Sequence, residues 1–123
     1  MTIREAITRV DGLKHNTYTN AEKVAWLSRL DGKIKTEVID THEDGENVEF
    51  HRYDPNTDPD TDLLVGEPHD EIYLRWMEAQ IDYHNGEIDK YNNSILLFQA
   101  AYAEFSKFYN RNHMPKGTAV TYF

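Results

Sequence analysis

Apolar residues recur along this chain first at helical spacing, then in alternation, then at helical spacing again. Ile3, Ala6, Ile7, Val10 and Leu13 lie three or four positions apart and form one stripe, as in an amphipathic helix packed on one side. Thr2 and Glu5 have capping-box spacing, in which hydroxyl and carboxylate satisfy otherwise unpaired amides, so a helix is predicted over 2–14. Polar residues His15 to Thr17 break the stripe. Thr19 and Glu22 repeat the capping spacing, and Val24, Leu27, Leu30, Ile34 and Val38, widened by Ala25, Trp26 and Ile39, predict a second helix over 19–42. Gly32 inside it costs about 1 kcal/mol relative to Ala and marks a kink or a close helix contact. Asp44-Gly45 is a stop signal.

Over 44–68 the period changes. Val48 to Tyr53 alternates as a strand does, Leu63-Leu64-Val65 is a candidate partner, and Asp54 to Asp60 between them is turn chemistry with two prolines. The expectation is a small irregular or β-hairpin lobe, closed by Gly66 and Pro68. The strongest pattern follows. Leu74, Met77, Ile81, His84, Ile88, Tyr91, Ile95, Phe98, Tyr102, Phe105 and Tyr109 advance in alternating steps of three and four, the seam of a long helix. Asn85-Gly86 and Asn92-Asn93 are turn signals within it, yet the phase survives both. One helix is therefore expected over 69–112, with Gly86 or Asn93 as the place for a kink. Such a rod would be on the order of 60 Å long, whereas a compact domain of this size has a radius of gyration of roughly 14 Å. Its apolar face must be covered by the N-terminal helices or by neighbouring subunits. Residues 113–123 are expected as a C-terminal arm, either a frayed terminus or one whose strand-like end adds a strand or an aromatic plug to a neighbour. The fold expected is mainly α: one domain over 1–123, an antiparallel helical bundle with a long C-terminal helix.

Composition narrows the function. The chain has 123 residues, no Cys, and a formal net charge of −9. Lack of Cys removes disulfides, thiolate zinc sites and cysteine nucleophiles together. No apolar run approaches the ~18 residues of a membrane span, and Met1 to Glu5 lacks the basic-then-apolar pattern of a signal peptide. Residues 37–71 carry thirteen acidic side chains against Arg52 alone, so this segment is −12 and the rest of the chain +3. A segment of that charge repels a phosphate backbone, which disfavours ordinary nucleic-acid binding. It reads as a solvated loop, or as an acidic channel or docking surface centred on Asp54, Asp58, Asp60 and Asp62.

Candidate chemistry is sparse. His15, His42, His51, His69, His84 and His113 are scattered, no two of them four apart, and none stands three residues after a Glu as in di-iron bundles. Asp54, Asn56 and Asp58 have the spacing that opens a calcium loop, but Pro59 stands where that loop needs Gly and Val65 where it needs Glu. His84, on the seam, reads as a partly buried histidine bonded to a neighbouring helix; a proton-transfer role would need an oriented partner and a pocket. No nucleophile elbow, phosphate-cradling loop or dinucleotide fingerprint occurs. The expectation is a protein that is not an enzyme, with no catalytic, metal or cofactor residues. Besides Trp26, the rings that stand out are Trp76, Tyr91, Phe98, Tyr102, Phe105, Phe108, Tyr109, Tyr122 and Phe123. They read as core, or as a candidate subunit interface, since so many rings on one rod exceed what a small monomer needs.

Several stretches carry a resemblance. Trp26-Leu27-Ser28-Arg29-Leu30-Asp31-Gly32-Lys33-Ile34 is followed by Leu63-Leu64-Val65, Pro68 and Asp70-Glu71-Ile72-Tyr73-Leu74. Then come Trp76 to Tyr83, Asn85-Gly86-Glu87, Tyr91-Asn92-Asn93-Ser94 and Tyr109-Asn110-Arg111. Over roughly residues 19–115 the chain resembles small proteins encoded among the head and tail genes of Firmicutes prophages. These are similar to the head–tail connector (adaptor, head-completion) proteins of long-tailed phages. The resemblance implies a helical subunit that forms a ring with its own copies beneath the portal protein and presents a surface to a tail-side completion protein. It implies a place in the virion, assembly in the bacterial host cytoplasm, DNA passing nearby without sequence-specific binding, no membrane and no cofactor. The alternative is an acidic DNA mimic or regulatory protein that occupies a basic site on a host protein.

Overall fold

The computed structural model describes residues 1–116. Among these the chain forms four α-helices, α1 (Ile3–Leu13), α2 (Asn20–Glu37), α3 (Ile72–His84) and α4 (Ile88–Asn112), with short 3-10 turns at Ile39–Thr41 and Gly45–Asn47. The fold is mainly helical, as expected, and has a long C-terminal helix.

The first helix starts where its cap places it. Thr2 Oγ1 accepts from the Glu5 amide and Glu5 Oε1 from the Thr2 amide, each at 3.1 Å. Thr19 likewise accepts from the Glu22 amide at 3.2 Å, but the Glu22 carboxylate takes the Thr19 hydroxyl (3.3 Å) rather than the backbone, so the second box closes differently. α2 also ends earlier than 42. At Val38 the backbone leaves the helix and tightens into a 3-10 turn, held by the Thr41 hydroxyl donating to the Val38 carbonyl at 2.6 Å. Gly45 then packs directly beneath this turn; a Cβ on it would sit 2.3 Å from the Ile39 carbonyl oxygen. α2 continues through Gly32 without interruption.

Of the two forms expected for 44–68, the irregular lobe is the one that forms. No strand occurs among the described residues, only isolated bridges between Thr2 and Asp62 and between His42 and Pro115. The alternating segment does not pair with 63–65 because its backbone finds side-chain partners on the helices instead: the Tyr53 amide donates to Ser28 Oγ (3.0 Å) and the Leu64 amide to Asp31 (3.1 Å).

The helix expected over 69–112 is divided. α3 starts only at Ile72 and stops at His84, and the chain reverses through Asn85-Gly86-Glu87. Gly86 has φ +74°, the left-handed region open to glycine at no steric cost. The Gly86 amide bonds the Tyr83 carbonyl and the Glu87 amide the Asp82 carbonyl, both at 3.0 Å, which is the Schellman closure of a helix. The Tyr18 hydroxyl fixes Asn85 from the α1–α2 linker at 2.6 Å. α4 then runs back antiparallel to α3. Tyr83 faces Tyr91 (5.5 Å between ring centroids), Trp76 faces Phe98 (4.9 Å) and His69 faces Phe108 (4.6 Å). Most of the seam is thus enclosed by the helical hairpin and the core rather than forming one flank of a rod; His84 and Ile88, beside the reversal, stay exposed.

The core is built mainly from Ile3, Ala6 and Val10 of α1, Leu27, Leu30 and Ile34 of α2, and Ile72, Met77 and Ile81 of α3, with Leu63 and Val65 from the lobe. α4 buries only Phe98, Phe105 and Tyr109 and lies outermost.

Three glycines should respond differently to alanine in urea unfolding. Gly86→Ala is expected to lose about 1–2 kcal/mol from its left-handed backbone. Gly45→Ala should lose about 1–3 kcal/mol from overpacking. Gly32→Ala, with no contact shorter than 3.7 Å, should gain up to about 1 kcal/mol from helix propensity.

Candidate functional site

The aromatic set lies largely inside the hairpin. Phe98, Phe105 and Tyr109 are buried; Trp76, Tyr91, Tyr102 and Phe108 are half-buried. Trp76 Nε1 donates to the Trp26 carbonyl at 2.9 Å, which hooks α3 to α2. The Tyr102 ring lies under Lys33 Nζ at 5.5 Å; its hydroxyl is buried without a partner among the described residues and is pushed up to about 12 by burial and then by Glu37. Tyr122 and Phe123 lie outside the described residues. The surface left open on α4 is aliphatic instead. Ile88, Leu96 and Leu97 are 71%, 62% and 52% exposed, and Ala100 and Ala103 continue the same outward side. Leu96 and Leu97 escape a reading that follows the seam. The signal for them was the unbroken run Ile95-Leu96-Leu97-Phe98, which covers more of a helix circumference than one buried face requires.

His84 differs from expectation. Although at a seam position, it is exposed at the end of α3 and stacks flat on Trp26, rings 7° apart in plane and 5.5 Å between centroids. The reversal at Gly86 frees it from the hairpin interior.

Asp54, Asp58, Asp60 and Asp62 are all exposed on the lobe. Two of them shape their own loop: Asp54 accepts from the Asn56 amide (2.7 Å) and Asp58 from the Asp60 amide (2.9 Å). Asp60 pairs with Arg4 of α1 at 3.0 Å, which raises the already high pKa of that guanidinium. An ion pair so open to water adds little stability.

Beneath this surface sits a carboxylate that sequence reasoning missed. Asp31 of α2 is fully buried. It accepts from the Tyr53 and Tyr73 hydroxyls, both at 2.6 Å, and from the Leu64 amide at 3.1 Å. Tyr73 in turn accepts from the Val65 amide at 2.7 Å. Burial raises the pKa of Asp31, and the three donors offset part of that rise; burial and the Asp31 charge push both tyrosine hydroxyls far above their usual range. Every oxygen of the cluster is engaged within the chain, so its role is to bind α2, the lobe and α3 together. A second buried acid, Asp82, receives Lys14 at 2.7 Å on each oxygen and the Ser94 hydroxyl, joining α1, α3 and α4.

A third cluster secures the end of α4. Buried His42 places Nε2 2.7 Å from Asn110 Oδ1 and Nδ1 2.5 Å from the Val38 carbonyl. Tyr109 meets the His42 ring edge-on at 4.7 Å and stacks on His113 at 3.8 Å. His113 Nδ1 lies 2.5 Å from Asp44, which holds the Asp44 carboxyl below its ordinary range.

Among the described residues no three His, Asp or Glu side chains converge as a metal site, and no helix is long and apolar enough to cross a membrane. In comparisons with known proteins, no family model, curated protein or solved structure matches the chain.

The buried carboxylate carries a pH prediction. A carboxyl whose pKa is raised on folding contributes stability below its ordinary value of 3.8 and loses that contribution as pH rises through the folded value. Asp31→Asn, which cannot ionise, should therefore show a smaller decline in stability from pH 4 to 7 than the parent chain, measured by urea unfolding. An unaltered slope would show that the three donors cancel the effect of burial. Asp31→Leu, which strands two hydroxyls and an amide, should lose on the order of 3–5 kcal/mol.

Proposed function

We propose that this chain is a structural subunit of a phage particle: a head–tail connector that assembles with its own copies as a ring under the portal protein and joins the DNA-filled head to the tail. The observation that carries the reading is the outer side of α4, where Leu96 and Leu97 stand open and uncovered by any other element among the described residues. Exposed leucines side by side on a long helix suit burial against a protein partner. The likeness of residues 19–115 to prophage connector proteins supplies the biological setting. In that setting α4 meets a neighbouring copy, while other faces meet the portal and a tail-side completion protein. The acidic lobe, with Asp54, Asp58, Asp60 and Asp62 exposed, suits a surface past which DNA slides without adhering. The chain acts in the virion after assembly in the host cytoplasm, and it catalyses no reaction.

Electron microscopy of particles made with a tagged copy tests the placement. The tag should appear as a ring directly below the portal, and a tag absent from the particle would overturn the reading. Leu96→Glu/Leu97→Glu should keep the parent melting temperature yet weaken assembly by about 100-fold or more, given roughly 1.5–3 kcal/mol for each leucine buried. Undiminished assembly would remove α4 from the interface.

The exposure of the same four aspartates favours one other reading, an acidic protein that occupies a basic site on a host enzyme. Asp58→Asn/Asp60→Asn/Asp62→Asn should then abolish binding to that enzyme, and raising the salt should weaken the parent complex steeply.

A further inference from the structure

The chain has 22 acidic and 13 basic side chains, and seven of those bases lie against carboxylates: Arg4, Lys14, Lys23, Lys33, Lys35, Arg75 and Lys90. The other six do not among the described residues, and two of these six, Arg29 and Arg52, line one groove of about 280 Å³ between α2 and the lobe. Arg52 is also the single base of the acidic segment 37–71. In so acidic a chain, two guanidiniums on different elements that share a groove but no carboxylate leave strong donors unused.

The rest of the groove is equally particular. Gly32 lies on its floor, where a Cβ would meet the Phe50 ring at an ordinary contact distance of 3.7 Å. Phe50 forms a wall, held edge-on against Tyr53 at 5.4 Å. Ser28 accepts the Tyr53 amide and keeps its own hydroxyl proton to give. The Tyr53 hydroxyl is committed to Asp31 on the far side and has no part in the site.

We propose that this groove binds a carboxylate carried on an aromatic body. The guanidinium forks of Arg29 and Arg52 take the planar carboxylate, a geometry that Lys cannot reproduce. The Ser28 hydroxyl adds a third donor, and the aromatic body rests on Phe50 over Gly32. The same chemistry is offered by a free aromatic acid and by an Asp or Glu beside an aromatic residue in a protein segment.

Amide NMR spectra of the full chain, titrated at constant ionic strength with benzoate, inorganic phosphate and the peptide acetyl-Phe-Asp-Phe-amide, test the proposal. Benzoate, the peptide or both should give saturable shifts at Ser28, Gly32, Arg52 and Tyr53, with phosphate weaker by about tenfold for lack of a body to place on Phe50. Arg29→Gln and Arg52→Gln should each weaken binding about tenfold, and Arg52→Lys should recover part of that loss. Thermal unfolding of these variants should match the parent, since neither guanidinium has a partner among the described residues. A peptide about tenfold tighter than benzoate assigns the ligand to a protein segment; equal or weaker peptide binding assigns it to a free acid. Shifts that never saturate, that persist in the double Gln variant, or that phosphate reproduces at equal affinity would overturn the proposal.

Discussion

Asp31 cannot face solvent, and a buried carboxylate without donors would cost several kcal/mol. Its hydrogen bonds to Tyr53, Tyr73 and the Leu64 amide therefore decide where three separate parts of the chain must lie. Beyond the 3-10 turn at Gly45–Asn47 the lobe has no regular secondary structure to hold its own shape, and it is positioned because two points along it, Tyr53 and Leu64, are fixed to one side chain of α2. Tyr73 brings the first turn of α3 to the same point, which sets the start of the hairpin. The groove that holds Arg29 and Arg52 exists because Tyr53 is anchored there: the lobe stands off α2 at a distance set by Phe50 and Gly32 rather than by a paired strand.

The hairpin of α3 and α4 resolves the question of what covers the aromatic seam. A stripe of rings on one straight helix would have demanded a partner along its whole length. Folding back at Gly86 supplies that partner from within the chain, so the rings close on one another and the apolar surface left exposed lies on the opposite side of α4. That surface is consequently aliphatic and narrower than a ridge of aromatic rings would have made it. Leu96 and Leu97 define it.

Legibility followed the range of the interaction. The stripe of α1 and its Thr2–Glu5 cap are local, and both were readable from spacing alone. The turn at Asn85-Gly86 was visible as a signal, but the uninterrupted phase of the seam argued against it. A three-residue reversal between antiparallel helices preserves that phase as well as a continuous helix does, so periodicity could not separate the two. The end of α2 depended on Gly45 packing under Ile39, a contact that composition does not announce. Asp31 was the least legible residue of all, because an acid amid Arg29 and Lys33 looks like part of a solvated helix face. Only the arrival of two distant tyrosines turns that position inward. Lys23, nearly buried and bonded to Asp11 at 2.6 Å, was hidden in the same way. Arg29 and Arg52 share a groove through tertiary folding, which no motif encodes.

The few attachments of α4 to the rest of the molecule have a mechanical consequence. Away from α3 it is held by Lys33 over the Tyr102 ring and His69 against Phe108, by Asn110 meeting His42 near its end, and by the tie between Asp44 and His113 just beyond. The contacts that fill its length are to α3, its immediate neighbour in sequence, while α1, α2 and the lobe are bound to α3 through Asp31, Asp82 and the aliphatic core. In the language of cooperative folding units, a local opening of α4 has a definite cost. Lifting it from α3 would break its attachments and the Ser94–Asp82 bond and would uncover Phe98, Phe105 and Tyr109, three rings of the common core.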